Sequence, residues 1–267
     1  MDFYHTLVLS LIQGLTEFLP VSSSGHLILL PKLTGWQDQG HIIDVCAHVG
    51  TLGAVLVYFY RDVWAMVQGL YKGALGRPNG ATYLALTLVV ATIPAVLFGL
   101  LISMMGGTPR SEIMVAINAI LFGLLLFYAD RVGKQEKTLK DVTYGSAILM
   151  GLGQMVALIP GVSRSGAVLT TARILGFTRA EAARYAFLMA IPAILGAGTL
   201  TGYKLYKEGG LVLDASCQLT IAFSFLFGLM AIHFMMWWLR RTTMTAFVVY
   251  RLVLGAVLLA HSLWVFL

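Results

Sequence analysis

Gln13-Gly14-Leu15-Thr16-Glu17-Phe18-Leu19-Pro20-Val21-Ser22-Ser23-Ser24-Gly25-His26 is the stretch on which the reading of the fold turns. It sets a carboxylate, several hydroxyls and an imidazole between two apolar segments, 2–19 and 22–33, and breaks them at a proline. The second segment is about 18 Å long at ~1.5 Å per residue, well short of the ~30 Å hydrocarbon core of a bilayer. The same break recurs at Pro160-Gly161-Val162-Ser163-Arg164-Ser165-Gly166, between 142–159 and 163–176. The later of these segments reaches about 21 Å. Segments this short, joined at a proline, predict two re-entrant helix–loop–helix pairs, 2–33 and 142–176.

The surrounding chain supplies the membrane context. Of its 267 residues, 58% are apolar and 11% charged, where a globular domain carries about a quarter charged residues. Runs such as Leu84 to Met105 and Ala215 to Leu239 match the ~20 residues that a spanning helix needs. Six such helices are predicted, at 42–61, 81–105, 111–130, 180–206, 216–239 and 244–266. With the two pairs they make ten helices of an all-α polytopic protein, and 1–267 reads as one integral membrane domain. Thr178 and Glu181 form a capping box before the eighth helix. No cleavable leader is expected, because the first apolar stretch lacks a basic n-region and carries Gln13, Glu17 and Pro20. Cys46 and Cys217 lack metal spacing and read as buried free thiols.

The chain also repeats. Besides the two proline loops, Phe122-Gly123-Leu124 recurs as Phe227-Gly228-Leu229. Ile93-Pro94-Ala95 recurs as Ile191-Pro192-Ala193, although not in corresponding segments. Halves at roughly 1–133 and 138–267 each hold one re-entrant pair and three crossings. Three is odd, so the halves are inverted, and such repeats place their site near the midplane between broken helices. Alternate assignment of loops puts Arg61, Lys72, Arg77, Arg131, Lys134, Lys137, Lys140, Arg173, Arg179, Arg184, Arg240 and Arg241 on one side. Lys32, Arg110, Lys204 and Lys207 fall on the other, leaving Arg164 and Arg251 at membrane depth. The richer side is cytoplasmic by the positive-inside rule, and both termini face outward. The net charge of +6 therefore reflects topology, and nucleic acid is excluded as a partner.

The two loops carry the chemistry. Gln13 and Glu17 lie four apart and share a helix face. An ionised group at this depth costs about 2.5–3.5 kcal/mol and needs a partner or a wet cavity. Arg164 offers a planar fork suited to phosphate, and Gly161 and Gly166 let backbone approach a ligand. The helices after each loop aim their N-terminal amides at it, as anion sites do. Ser22, Ser24, Ser163 and Ser165 add hydroxyls. Together they describe a phosphate or diphosphate pocket, against the plainer reading that these groups glue helices. His41, Asp44 and His48 could shape the pocket mouth or bind a cation. Asn118 reads as structural, Arg251 is open, and the run Phe234 to Trp238 reads as lipid-facing or interfacial.

Thr16-Glu17-Phe18-Leu19-Pro20-Val21-Ser22-Ser23, with Gly25-His26, and Pro160 to Gly166 resemble the two signature motifs of the undecaprenyl-diphosphate phosphatase family, and length and segment order agree over the whole chain. The resemblance implies removal of the terminal phosphate of undecaprenyl diphosphate with a divalent cation (Mg2+ or Ca2+), recycling of the carrier for peptidoglycan synthesis, and bacitracin resistance. It implies a bacterial inner-membrane location, with the lipid substrate and membrane lipids as partners and a homodimer left open. The expected mechanism has Ser23 as nucleophile, His26 as general acid or base, Glu17 on the cation and Arg164 on the developing charge, with Gln13, Ser22, Ser24, Gly161, Ser163, Ser165 and Gly166 binding substrate. Direct attack by water is the alternative. The chain departs from the family in Gln13, where some members have glutamate, and Val168, where threonine is usual; Thr170 and Thr171 are the nearest hydroxyls. The phosphatidic-acid-phosphatase superfamily is dismissed, since no second histidine follows Ser163-Arg164 before His233. A transporter or flippase of a phosphorylated polyprenyl lipid is the rival, because inverted repeats and broken helices are its hallmarks too.

Overall fold

Hydrocarbon offers no hydrogen bonds, so an apolar chain must bond its backbone within each segment and folds as helices. The computed structural model describes residues 2–108, 111–207 and 214–266. Arg110 and the 208–213 part of the loop after the eighth predicted helix lie outside these residues, as do the side chains of His41 and Lys204. The described residues form α1 (Phe3–Phe18), α2 (Ser23–Thr34), α3 (Gly40–Tyr58), α4 (Tyr60–Ala74), α5 (Gly80–Met104), α6 (Glu112–Val132), α7 (Tyr144–Val156), α8 (Arg164–Ile174), α9 (Arg179–Lys207), α10 (Ala215–Leu239) and α11 (Thr245–Phe266).

This is one helix more than the ten expected. The extra helix, α4, leaves α3 at Phe59 with a bend of 83°. It lacks an apolar run because it is amphipathic: Met66 and Gly69 are buried, while Tyr60, Trp64 and Tyr71 are exposed. Gly69 allows the close approach to α5, since a Cβ there would lie 2.6 Å from the Thr82 amide. Thr82 Oγ1 donates to Gly69 O across the same contact. Among the described residues five helices are long and apolar enough to span (α5, α6, α9, α10 and α11), or six with the bent α3–α4 pair counted as one span; the expected span at 42–61 is thus broken at Phe59. This is a polytopic all-α membrane protein.

The short pairs α1–α2 and α7–α8 are inserted among the long helices in the same way. α1 packs on α10, and α7 packs on α5. α6 and α11 pack on each other, and α3 meets α9. Against α10 the contacts are made by small residues: a Cβ on Gly14 of α1 would lie 2.6 Å from Phe227 Cβ, and one on Gly50 of α3 would lie 2.4 Å from Ile221 O. Small faces of this kind are how helices approach where lipid supplies no hydrophobic drive.

Ion pairs gather at one end of the molecule. Asp130 receives Arg173 Nε at 3.3 Å, Arg179 Nε at 2.6 Å and the Met244 amide at 3.1 Å. Asp62 at the start of α4 pairs with Arg184 of α9. Arg173 is fully buried inside α8, so it is a third arginine enclosed by the fold rather than a loop charge. Of the capping box at Thr178, the Glu181 amide donates to Thr178 Oγ1 at 3.3 Å. The Glu181 carboxylate instead accepts from the Leu139 amide, tying the 133–141 connection to α9. Lys32, Glu112 and His261 pair at the opposite end. Cys46 and Cys217 are free and share one buried cluster. Phe234 and Trp237 are exposed, but Met235 and Met236 between them are buried, because a helix turns successive residues onto different faces.

Candidate active site

α1 ends at Phe18, just before Pro20, and α7 ends at Val156, short of the expected 159 and ahead of Pro160. After each, the chain passes through a serine in an unusual conformation. Ser22 has φ 74° and ψ 90°, and Ser163 has φ 73° and ψ 116°. They are the two non-glycine residues with positive φ among the described residues. L-residues populate such geometry rarely, and it persists only where surroundings enforce it. Each serine caps the next helix: Ser22 Oγ accepts from the Gly25 amide, and Ser163 Oγ from the Gly166 amide. Each also lies 3.3 Å from the hydroxyl two residues on, Ser24 and Ser165.

Arg251 of α11 holds both loops. Its side chain is fully buried and has no carboxylate; all its bonds go to carbonyls. Nη1 donates to Pro20 O (3.1 Å) and Val162 O (3.0 Å), Nη2 to Gly161 O (3.0 Å) and Asn118 O (3.1 Å), and Nε to Ala119 O (3.1 Å). Asn118 Nδ2 donates to Pro160 O, the structural role expected for it. Ser165 Oγ donates to Leu19 O and joins the second loop directly to the first. Gly161 and Gly166 allow these contacts. Gly161 has φ +90°, and a Cβ on it would lie 2.6 Å from Val115 O; one on Gly166 would meet Arg251 Nη1 at 3.1 Å.

Glu17 is where the halves meet. Its Oε1 accepts from Arg164 Nη2 at 2.6 Å. Its Oε2 accepts from Ser23 Oγ at 2.7 Å and Gln13 Nε2 at 3.0 Å. His48 Nε2 stands 3.8 Å from the same oxygen. The His48 Nδ1 bond to Asp44 O places a proton on Nδ1, since a carbonyl only accepts, and leaves Nε2 facing the carboxylate. Arg164 Nη1 is buried without a partner. A cavity of about 350 Å³ opens here, lined by Thr16, Glu17, Ser23, Ser24, Asp44, His48, Ser163 and Arg164 among others. Through Ser24, Asp44 and His48 it adjoins a second cavity that reaches Gln39 and Thr108, toward the end away from the ion-pair cluster.

Thus Glu17, Ser23, Ser24, Ser163 and Arg164 of the expected site face one cavity. Gln13 stands behind Glu17, and Ser22, Ser165, Gly161 and Gly166 build the loops. His26 is turned elsewhere: Nδ1–H donates to Ser22 O at 2.7 Å, and Nε2 meets Tyr250 OH at 2.5 Å. It is His48 that enters the cavity. Thr170 and Thr171 bond back to Gly166 O and Ala167 O and do not replace a hydroxyl at Val168. Sequence reasoning missed the role of Arg251. The available signal was an arginine at membrane depth with no acidic residue within a turn of it.

Among the described residues, no three His, Cys, Asp or Glu side chains are grouped to hold a metal ion. The donors therefore do not suit a cation held by protein alone. They suit Mg2+-like binding, in which one or two carboxylates share the ion with substrate phosphates and water.

Residues 6–257 match the family model described as bacitracin resistance protein BacA. Curated relatives named undecaprenyl-diphosphatase align almost end to end. The protein of Ruegeria pomeroyi is 47% identical over 262 residues, 97% of this chain and 98% of its own. That of Jannaschia sp. is 44% identical over 264 residues, again 97% and 98%. That of Roseobacter denitrificans is 43% identical over 265 residues, 98% and 99%.

Proposed function

The chain belongs to the bacitracin resistance protein BacA family and hydrolyses undecaprenyl diphosphate to undecaprenyl phosphate and inorganic phosphate, and from that premise we propose that the reaction occurs at the carboxylate shared by Ser23 and Arg164. That shared carboxylate is the observation that carries the reading.

Ser23 Oγ attacks the terminal phosphorus, and the bond from that phosphorus to the bridging oxygen breaks. Glu17 Oε2, already bonded to the hydroxyl at 2.7 Å, takes its proton as general base. Undecaprenyl phosphate leaves. Water then attacks the phosphoserine phosphorus; Glu17 returns its proton to the departing Ser23 oxygen, takes one from the attacking water and releases it to solvent. Arg164 offers its unpartnered Nη1 to the phosphoryl oxygens, and the N-termini of α2 and α8 add about half a positive charge each. Their first-turn amides have no intrahelical partner. His48 relays protons between Glu17 and water, while His26 anchors the Ser22 carbonyl and so the position of Ser23. A divalent cation, with Glu17 as its protein ligand, would supply further positive charge against the diphosphate.

The cavity opens away from the ion-pair end, which fits hydrolysis at the outer face of the cytoplasmic membrane with both termini periplasmic. Inversion of the halves 1–133 and 138–267 is part of the same reading. Phosphate release by purified protein in detergent tests catalysis against transport, because transport needs two compartments and hydrolysis does not. Trapping of a labelled phosphoenzyme on Ser23 tests the covalent route. An unlabelled enzyme under rapid quench during turnover would return the choice to direct water attack.

A further inference from the structure

Gln154 of α7 lies nine residues before the strained serine of its loop, as Gln13 does before Ser22. Gln13 Nε2 bonds Glu17, four residues on. Four residues beyond Gln154 stands Leu158, and both amide atoms of Gln154 are buried without a partner. Gln154 is buried, at 3% exposure. An unpaired buried amide is costly unless something bonds it.

Gln154 lines a cavity of about 520 Å³ between α5, α7 and α9, and Arg164 lines it as well. Ala157, Leu158, Arg164, Ala193 and Ala197 are common to this cavity and the reaction cavity, so the two are continuous. In the other direction it shares Thr92 and Val96 with an apolar cavity of about 220 Å³ that reaches Val89, Ile93, Leu97 and Pro192. Val89, Ile93 and Leu97 are exposed on the outer face of α5. The passage therefore runs from the reacting groups to the lipid-facing surface. The two Ile-Pro-Ala triplets lie on its opposite walls: Ala95 and Ala193 line the inner part, Ile93 and Pro192 the outer. Its bore is open because its walls are small. A Cβ on Gly196 would meet nothing within 4 Å, and one on Gly99 only Leu158 Cδ1 at 3.6 Å.

Resting on the active-site reading above, we infer that this passage seats the lipid half of the substrate: Gln154 binds the phosphoryl group that stays on the lipid, and the first prenyl units lie between α5 and α9 on the way to the bilayer. The chemistry matches in sequence along the passage. Arg164 stands on the reacting carboxylate, Gln154 shares the passage wall with Arg164, apolar small residues follow, and the hydrocarbon comes last. A pocket of this size and apolar character with few polar groups is the usual form of a ligand site.

The test uses the full-length protein in detergent with undecaprenyl diphosphate as substrate and undecaprenyl phosphate as inhibitor. Gly196→Leu fills the passage without a backbone clash, Gly99→Leu does so from the other wall, and Gly202→Leu, which also meets nothing within 4 Å, is the control on the same helix. Either filling variant should raise KM about tenfold or more, with kcat changing less and Gly202→Leu unchanged. Gln154→Leu should raise KM and weaken product inhibition by a common factor of about ten, because substrate and product share the retained phosphoryl group. Filling variants that melt like the parent and keep its KM, or a Gln154→Leu protein with unaltered product inhibition, would overturn the inference. If those variants are normal while Arg164→Ala is inactive, the passage alone is wrong. If Arg164→Ala is itself active, the active-site reading falls, and this inference with it.

Discussion

The loops at 20–25 and 160–166 have nearly the same backbone and opposite chemistry. Both place a serine at φ near 74°, cap the next helix with it and set a second hydroxyl 3.3 Å away. The first loop follows a helix that carries Glu17 and then presents Ser23; the second presents Arg164 and has no carboxylate behind it. A repeated frame thus provides two helix N-termini, and changes at single positions divide the proposed nucleophile and base from the fixed cation. The extra residue in the second loop, Gly161, turns with φ +90° where the Val115 backbone leaves no room for a side chain.

That division can be broken at its joint. Glu17→Ala, Ser23→Ala and Arg164→Ala should each lower turnover by about 10³-fold or more, since each removes a group acting in the transition state. Phosphate release from undecaprenyl diphosphate, with a thermal melt as control, checks it. A folded Arg164→Ala protein with most of its activity would reduce the second loop to a scaffold.

Replacing the arm of the cation is milder. Arg164→Lys keeps charge but loses the fork, so it could not hold Glu17 and phosphate together, and turnover should fall more than tenfold. Chelation with EDTA should lower activity of the parent protein, with recovery on adding Mg2+ or Ca2+. No effect of EDTA on a protein stripped of metal would leave Arg164 and the helix N-termini as the whole electrostatic machinery.

The histidines sharpen the comparison further. His48→Ala should cost about 10²-fold in kcat and change the form of the pH–rate profile, as loss of a proton relay does. His26→Ala should cost about tenfold with the profile kept, because it loosens Ser22 without touching the proton path. The reverse pattern would restore His26 to the acid–base role. The smallest effect is expected at Val168, where Val168→Thr should change turnover by less than about twofold, because this fully buried position lines neither cavity.

Arg251 tests the frame shared by both loops. Arg251→Met would strip donors from five carbonyls in both loops and α6, at about 1–3 kcal/mol for each group left unsatisfied. Stability and activity should therefore fall together, measured by thermal melt and phosphate release. An active, equally stable variant would show that the strained serines hold their geometry unaided.

Hydrophobic length alone determined the spanning helices, because only an uninterrupted apolar helix satisfies its backbone in lipid. Pro20 and Pro160 likewise lie at the two breaks, but Pro31, Pro94 and Pro192 sit inside helices, so a proline marks a break only together with the polar loop that follows it. An amphipathic helix at the water boundary needs no long apolar run, so α4 was not legible. Glu17, Ser23 and Arg164 could be singled out because charge and hydroxyl clusters at membrane depth demand a reason. Which of them touch depended on rotations that sequence spacing does not encode. The i, i+3 spacing of Ser23 and His26 suggested a pair, yet the imidazole turns to Ser22 and Tyr250, while His48 arrives from α3 beside Glu17. Arg251 reaches both loops from more than 85 residues away in sequence. Contacts of that range are set when packed helices choose their faces, a decision made by the whole assembly and by no single segment.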